Sequence, residues 1–322
     1  MRGTAMAHKA IEQYCALESA FFDATKKSER MSARFATTAC LGAGDPPETL
    51  VRRTLRERDA INALKSGWRN PSTSIRLVYG AALAASHRDG GGLVKMMETL
   101  AEERKRRGGR SLSSAGSPAA LVMLCAGGSY SQASMFFDIL EEIAAPWWRR
   151  NAPAEETYAA MMAASGETPA TAKDRLEKAR NTLATAGVPK SARGKCEVDV
   201  AVSNPRTDDF TSAWTALNIA VQQRRGLRQR ASWAGLATLA AQVEDGSDAG
   251  DALLEADTFV RELRPRVTSM VTGKLAVRLA ANMTGLRTPA GAAADYAAIL
   301  AAQAAMIAAT TAATTAAVVA AT

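Results

Sequence analysis

The side chains with the clearest chemical potential in this sequence are arginines and lysines that occur in four short runs. The runs are RKRRGGR at residues 104–110, WWRR at 147–150, RRGLRQR at 224–230 and RELRPR at 261–266, and they hold 14 of the 40 basic residues. Guanidinium groups bind phosphate and carboxylate oxygens, so such clusters are typical of a surface that binds an anionic partner. The candidate contact residues are Arg104, Lys105, Arg106, Arg107, Arg110, Trp148, Arg149, Arg150, Arg224, Arg225, Arg228 and Arg230.

A second explanation of the runs is local to the helices. Each run follows a segment predicted to be helical, and the helix dipole favours a cation at a helix C-terminus by about 0.3–1 kcal/mol. Trp147 and Trp148 could stack on bases, but a tryptophan pair at a turn is more often part of the packing. The sequence favours the helix-dipole explanation and leaves a phosphate-binding edge open as an alternative.

Nucleophilic, acid–base and metal chemistry has few candidates. His8 and His87 are the only histidines and lie in different segments, so a Ser–His or Cys–His pair has almost no base. Acidic pairs such as Glu102–Glu103 and Glu155–Glu156 are adjacent, and adjacent helical residues point in different directions, which predicts solvated carboxylates. The chain has no P-loop, no dinucleotide-binding glycine motif, no HExxH and no GxSxG. We therefore expect no catalytic residue, no metal and no cofactor, with a carboxylate site between helices as the open alternative.

The cysteines and the N-terminal segment indicate a compartment. Cys40 and Cys125 fall at the same position of a recurring motif, whereas Cys15 and Cys196 are isolated, so the four cysteines form no disulfide framework. Reduced thiols suit a cytoplasm. The N-terminal segment has no continuous apolar core of the signal-peptide type. These features predict a cytoplasmic protein.

The elements that must position the basic residues recur along the chain. Seven motifs of small and apolar residues begin at start-to-start steps of 44, 41, 38, 38, 39 and 40 residues. A fixed period of about 40 residues is the signature of stacked helical repeats. The motifs are TTACLGAGD from Thr37, AALAASHRD from Ala81, VMLCAGGSY from Val122, AMMAASGET from Ala160, VDVAVSNPR from Val198, ATLAAQVED from Ala237 and VRLAANMTG from Val277.

Each period divides into an apolar helix and an amphipathic helix. In the second period, IRLVYGAALAAS at residues 75–86 is apolar on nearly all sides, whereas LVKMMETLAEERKR at 93–106 carries its apolar residues on one stripe. The first kind is typical of a buried layer and the second of an outer layer. GKCEVDVAVSNPR at 194–206 has alternating valines that also suit a strand, but its register in the repeat predicts a helix. Asp45 and Thr168, each followed by proline, predict helix caps.

The fold predicted from these patterns is an all-α protein, an α-α helical repeat array of the solenoid or superhelix type. It contains about seven helix pairs of about 40 residues each. We divide the chain into an N-terminal capping helix at 1–30, a helical repeat domain at 31–290 and an uncharged Ala/Thr-rich tail at 291–322.

The C-terminal tail carries no charge from residue 296 to residue 322. Its length permits a membrane span, but alanine and threonine supply little transfer free energy and no basic flank or aromatic belt follows, which argues against a membrane partner. Its stripe of alanines would let another helix approach closely. The tail is therefore predicted either to be flexible or to dock on the array or on a second subunit, which would permit self-association.

The chain resembles the HEAT-like class of helical repeat proteins over residues 31–287, on the basis of the seven motifs. This resemblance implies a scaffold or binding role. Some members of that class are DNA-repair enzymes that hold DNA on a basic concave face, but their catalytic acid matches no residue here. The whole chain also resembles an uncharacterised bacterial family of all-helical proteins with uncharged, alanine-rich tails, and that resemblance carries no activity.

The net charge of +8 and the pI of about 9.5 favour acidic partners in general, although solubility alone also explains them. We expect a non-enzymatic cytoplasmic scaffold or binding protein for a macromolecular partner, above all another protein. The alternative is a nucleic-acid-binding or nucleic-acid-processing repeat protein that uses the basic edge. A third hypothesis is an all-helical enzyme that acts on a small molecule.

Overall fold

The protein is all-helical over the part of the chain that the computed structural model describes. This part contains fifteen α-helices and three short 3₁₀ turns, and no strand. The prediction of an all-α fold is confirmed. None of these helices is both long enough and apolar enough to cross a bilayer. The tail predicted at 291–322 lies outside the described residues, which are 2–63, 73–109, 111–145, 151–243, 246–264 and 269–284.

Seven of the helices bury runs of consecutive residues, so they are enclosed on all sides over part of their length. In one of them, α8, every residue from 155 to 163 is buried. Each recurring motif includes the C-terminal end of one of these helices. The seven buried helices are α2 (Arg30–Cys40), α4 (Thr73–Ala85), α6 (Ser117–Cys125), α8 (Ala152–Ala164), α10 (Lys190–Ser203), α13 (Trp233–Gln242) and α15 (Ser269–Met283).

Seven further helices bury only one stripe. In α9, for example, Ala172, Leu176, Ala179 and Leu183 are buried at helical spacing, and the residues between them are polar. A single turn, α12 (Leu227–Ala231), connects α11 to α13. The amphipathic helices are α1 (Arg2–Ala24), α3 (Pro47–Asn62), α5 (Gly90–Arg107), α7 (Ala133–Glu142), α9 (Pro169–Thr185), α11 (Thr207–Gln223) and α14 (Gly246–Glu262).

The helices contact one another in chain order, and the two helices at the C-terminal end of the described chain also contact the two at its N-terminal end. Each buried helix contacts the next buried helix, each amphipathic helix contacts the next amphipathic helix, and each amphipathic helix packs along the buried helix that follows it. The last members then contact the first, α15 against α2 and α14 against α1. Tyr14 of α1 meets Phe259 of α14 edge to face, with ring centroids 5.5 Å apart. The helix predicted as a cap therefore contacts helices from both ends of the described chain.

Some helices form and are capped as the local sequence predicts, whereas at other positions the capping side chain bonds to a residue that is distant in sequence. The segment with alternating valines is the helix α10, as predicted, and the Thr168 hydroxyl caps α9. Asp45 does not cap α3 as predicted, because its carboxylate accepts a hydrogen bond from Arg53 at 3.0 Å. The buried Glu57 of α3 accepts a hydrogen bond from the backbone N–H of Gly90, at 2.8 Å, and so helps to cap α5.

The assignment of the acidic pair Glu155–Glu156 to the solvated surface is wrong. Both side chains are buried at the start of α8. The Glu156 carboxylate accepts hydrogen bonds from the backbone N–H of Ser113 at 2.9 Å and from its hydroxyl at 3.1 Å. The pair is buried because its partner lies 43 residues away in sequence, where no local pattern records it.

Candidate anion-binding cleft

The predicted basic residues that the structure describes form two groups. One lies in the last turn of α5, where the helix-dipole explanation expects cations. The other surrounds the single turn α12. The predicted contact residues Arg110, Trp148, Arg149 and Arg150 lie outside the described residues.

Two of the four cations at the end of α5, Arg106 and Arg107, are paired with carboxylates. Arg106 and Arg107 both donate hydrogen bonds to Glu103, at 2.5 and 2.7 Å. Arg107 also extends to α7, where its nitrogens lie 2.7 Å from the Ser134 hydroxyl and 2.7 Å from the Asp138 carboxylate. Arg107 therefore joins two helices and is not available to a partner.

The Glu103 carboxylate gives this group a dependence on pH. Hydrogen bonds from Arg106 and Arg107 lower the pKa of Glu103 from 4.5 to about 2. A carboxylate whose pKa is lower in the folded state stabilises the protein fully above its unfolded pKa and loses that contribution as the pH falls towards its folded pKa. We expect the difference in unfolding free energy between the wild type and Glu103→Gln to shrink as the pH is lowered from about 6 to about 3, in urea denaturation.

The matched control is Glu102→Gln, which removes the neighbouring exposed charge without removing a hydrogen bond to an arginine in the described structure. A difference for Glu103→Gln that stayed constant across this pH range would contradict the role given to its ion pairs.

The second basic group surrounds a cleft of about 390 Å³, a volume within the range of ligand pockets. We call it the Arg–Trp cleft. Its lining holds three arginines, three side-chain amides and a tryptophan, and no carboxylate among the described lining residues. The residues are Asn218, Val221, Gln222, Arg224, Arg225, Gly226, Arg228, Gln229 and Trp233.

Two unusual backbone conformations shape the segment that carries these side chains. Gly226 and Ser232, on either side of α12, have φ angles of 77° and 61°. The second is strained for a residue with a Cβ, and it persists because the Ser232 hydroxyl accepts a hydrogen bond at the start of α13. Leu227 and Ala231 are buried. With these two anchors on the inner side of the turn, Arg228 is left on its exposed side.

A buried carboxylate on α14 forms ion pairs with two arginines of the segment that carries the cleft. Asp257 is fully buried and accepts hydrogen bonds from Arg230 at 2.8 and 2.9 Å and from Arg224 at 3.2 Å. Arg261 of α14 lies 4.0 Å from the same carboxylate. One negative charge therefore organises three guanidinium groups, and α12 is tied to α14 by charge as well as by packing.

Two arginines of the cleft, Arg225 and Arg228, are exposed and make no ion pair within the described ranges. The Arg228 guanidinium lies over the Trp233 ring, 5.4 Å from its centroid, and Trp214 packs on that ring at 5.6 Å. Of the three arginines that line the cleft, only Arg224 is paired, with the buried Asp257 behind the lining. This excess of positive charge favours an anion in the cleft.

The organising residue that sequence reasoning missed is Asp257. It lies on the buried side of α14, four residues after Leu253 and three before Val260, both of which are buried. A carboxylate at an apolar position of a helix is the signal that could have revealed it, since such a charge needs a partner. Within the described residues, no cluster of three or more His, Cys, Asp or Glu side chains could hold a metal ion.

Comparison with known proteins identifies no relative. No family model matches the chain, and neither a curated protein nor a solved structure is significantly similar to it. The geometry of the cleft is therefore the basis on which a function can be proposed.

Proposed function

We propose that this protein is a non-enzymatic helical-repeat protein whose Arg–Trp cleft binds an acidic segment of another protein. In this proposal the seven pairs of an amphipathic and a buried helix are the repeats, stacked on their neighbours as the period of about 40 residues predicts. The observation that carries the proposal is the excess of positive charge at the cleft, whose described lining holds three arginines and no carboxylate. The HEAT-like resemblance supports a binding role in the same direction.

The composition of the cleft supports a protein partner. Arginine and tryptophan are enriched among the residues that dominate protein interfaces, and the planar guanidinium group binds a carboxylate through two parallel hydrogen bonds. Arg225 and Arg228 offer such groups at the surface, beside the side-chain amides of Gln222 and Gln229. An acidic peptide would therefore find charge and hydrogen-bond donors together.

The described basic residues support an extended nucleic-acid surface less well. Binding along a nucleic-acid backbone uses several cations that contact successive phosphates. Arg107, Arg224 and Arg230 are engaged in ion pairs within the protein. Trp233 already carries Arg228 over its ring and Trp214 beside it, so a base has little free aromatic surface on which to stack.

The proposal is tested by removing the two exposed cations of the cleft. We expect Arg225→Ala combined with Arg228→Ala to weaken binding of a fluorescein-labelled acidic peptide library by about tenfold or more, because truncating arginines that contact a partner removes much of the binding energy. The library carries fixed glutamates between randomised positions, and binding is followed by fluorescence anisotropy.

The matched control is Lys105→Ala combined with Arg106→Ala, which removes the same charge from the end of α5 and should change the affinity by less than about twofold. An equal loss in both double variants would contradict the assignment of the cleft. If the protein bound a DNA duplex more tightly than the peptides, with a steep dependence on salt, the partner would be a nucleic acid and not a protein.

A further inference from the structure

The hydrogen-bonding groups of the Arg–Trp cleft are mostly donors. The guanidinium groups of Arg225 and Arg228 carry five N–H donors each and accept nothing, and the amides of Gln222 and Gln229 add two N–H donors each. Because no carboxylate lies among the described lining residues, these exposed donors are open to the oxygens of a ligand. A ligand with many acceptor oxygens and more than one negative charge fits this lining best.

On the basis of the function proposed above, we propose that the cleft binds a phosphorylated side chain of the partner protein. A phosphoserine carries a charge of about −1.5 to −2 at neutral pH and three strongly accepting oxygens, whereas a glutamate offers a single charge and two oxygens. Arginine clusters bind such groups through paired, charge-assisted hydrogen bonds. The two exposed arginines of the lining, Arg225 and Arg228, are compensated more fully by a dianion than by a single carboxylate.

The arginines are held on a rigid segment, which reduces the entropy lost on binding. Arg225 lies in the turn that Gly226 permits, and Arg228 follows on α12, between the buried anchors at 227 and 231. The cation–π contact with Trp233, 5.4 Å from the Arg228 guanidinium carbon to the ring centroid, restricts the positions that this side chain can take. Gly273 of α15 lets α12 pack so closely that a Cβ there would lie 1.9 Å from the Arg230 carbonyl oxygen.

A second cleft of similar volume, about 330 Å³, provides a contrast within the same molecule. It lies along α9 and is lined by Asp174, Glu177 and Lys178 together with hydroxyl and amide side chains. Two carboxylates beside one cation repel a phosphate. The preference for a dianion is therefore specific to the Arg–Trp cleft and does not follow from the net charge of the protein.

The test compares two fluorescein-labelled peptide libraries that are identical except for one fixed central residue, phosphoserine in one and glutamate in the other. We expect the wild type to bind the phosphoserine library about tenfold more tightly at pH 7.5, and this preference to disappear in the variant with Arg225→Ala and Arg228→Ala. The preference should also shrink below about pH 6, where the phosphate dianion takes up a proton and becomes a monoanion. The matched variant with Lys105→Ala and Arg106→Ala should keep the preference.

The outcomes separate this inference from the function on which it rests. Equal affinity for the two libraries would overturn the phosphate-binding cleft and leave the acidic-segment proposal standing. Failure of both libraries to bind would overturn both proposals. Tighter binding of a single-stranded oligonucleotide than of the phosphoserine library would also overturn both, and it would assign the cleft to a nucleic acid. Circular dichroism and thermal unfolding of each variant show that the loss of binding is not a loss of fold.

Discussion

The variant Gly273→Ala is expected to be less stable than the wild type by about 3 kcal/mol or more, a large effect for the addition of one methyl group. A Cβ at this position of α15 would lie 1.9 Å from the carbonyl oxygen of Arg230 and 2.7 Å from the amide nitrogen of Ala231. Both are backbone atoms of α12, so no side-chain rotation can relieve the overlap. Urea denaturation followed by circular dichroism measures the loss.

The control for this variant is Gly194→Ala, which adds the same methyl group to another helix. Gly194 lies within α10, is exposed, and has no atom within 4 Å of the position that its Cβ would occupy. Alanine is the better helix former by about 0.5–1 kcal/mol, so this variant should be as stable as the wild type or slightly more stable. Equal stability of the two variants would mean that α12 and α15 do not approach as closely as described.

Replacement of the buried carboxylate by Asp257→Asn is expected to destabilise the protein by about 3 kcal/mol. The asparagine is nearly the same size, but it removes the only charge that compensates Arg224 and Arg230 within the described contacts. Unpairing a buried charge costs about 3–5 kcal/mol, and the lower end applies because both arginines keep some exposure to solvent. The variant should also lose affinity for the phosphoserine library, since the cleft is built on the same segment.

The matched control is Asp251→Asn, an identical change at an exposed position of the same helix. Surface substitutions of this kind usually change stability by less than about 0.5 kcal/mol. If both variants unfolded at the same urea concentration, Asp257 would not be the anchor of α12, and the ordering of the cleft arginines would need another cause.

The alternation of buried and amphipathic helices can be predicted because it depends on local periodicity. The recurring motifs mark the C-terminal ends of the buried helices, as TTACLGAGD does for α2, which ends at Cys40. Local chemistry also predicts the cap at Thr168 and the helical state of α10. In each case the decisive neighbours lie within one or two helical turns, where sequence spacing reports spatial proximity directly.

The features that escape prediction depend on partners that are distant in sequence. Asp45 accepts a hydrogen bond from Arg53 and does not cap α3. The buried Glu156 accepts a hydrogen bond from the backbone N–H of Ser113. The basic runs can be recognised in the sequence, but the sequence does not show which of their arginines form ion pairs. Arg224 and Arg230 bond to Asp257, which lies 33 and 27 residues away. The contacts of α14 with α1 and of α15 with α2 have the same origin, since each joins helices that are far apart in the sequence.

The contact between α1 and α14 has a consequence for how the chain folds during synthesis. Tyr14, Leu17 and Phe21 of α1 are completely buried in the folded protein, and Phe259, on which Tyr14 packs, is made some 245 residues later. A nascent chain therefore carries part of this apolar surface without its native cover until residue 259 has been made. Such a distant pairing slows folding and exposes the ribosome-bound chain to aggregation, so we expect chaperones to bind the unpaired apolar face of α1.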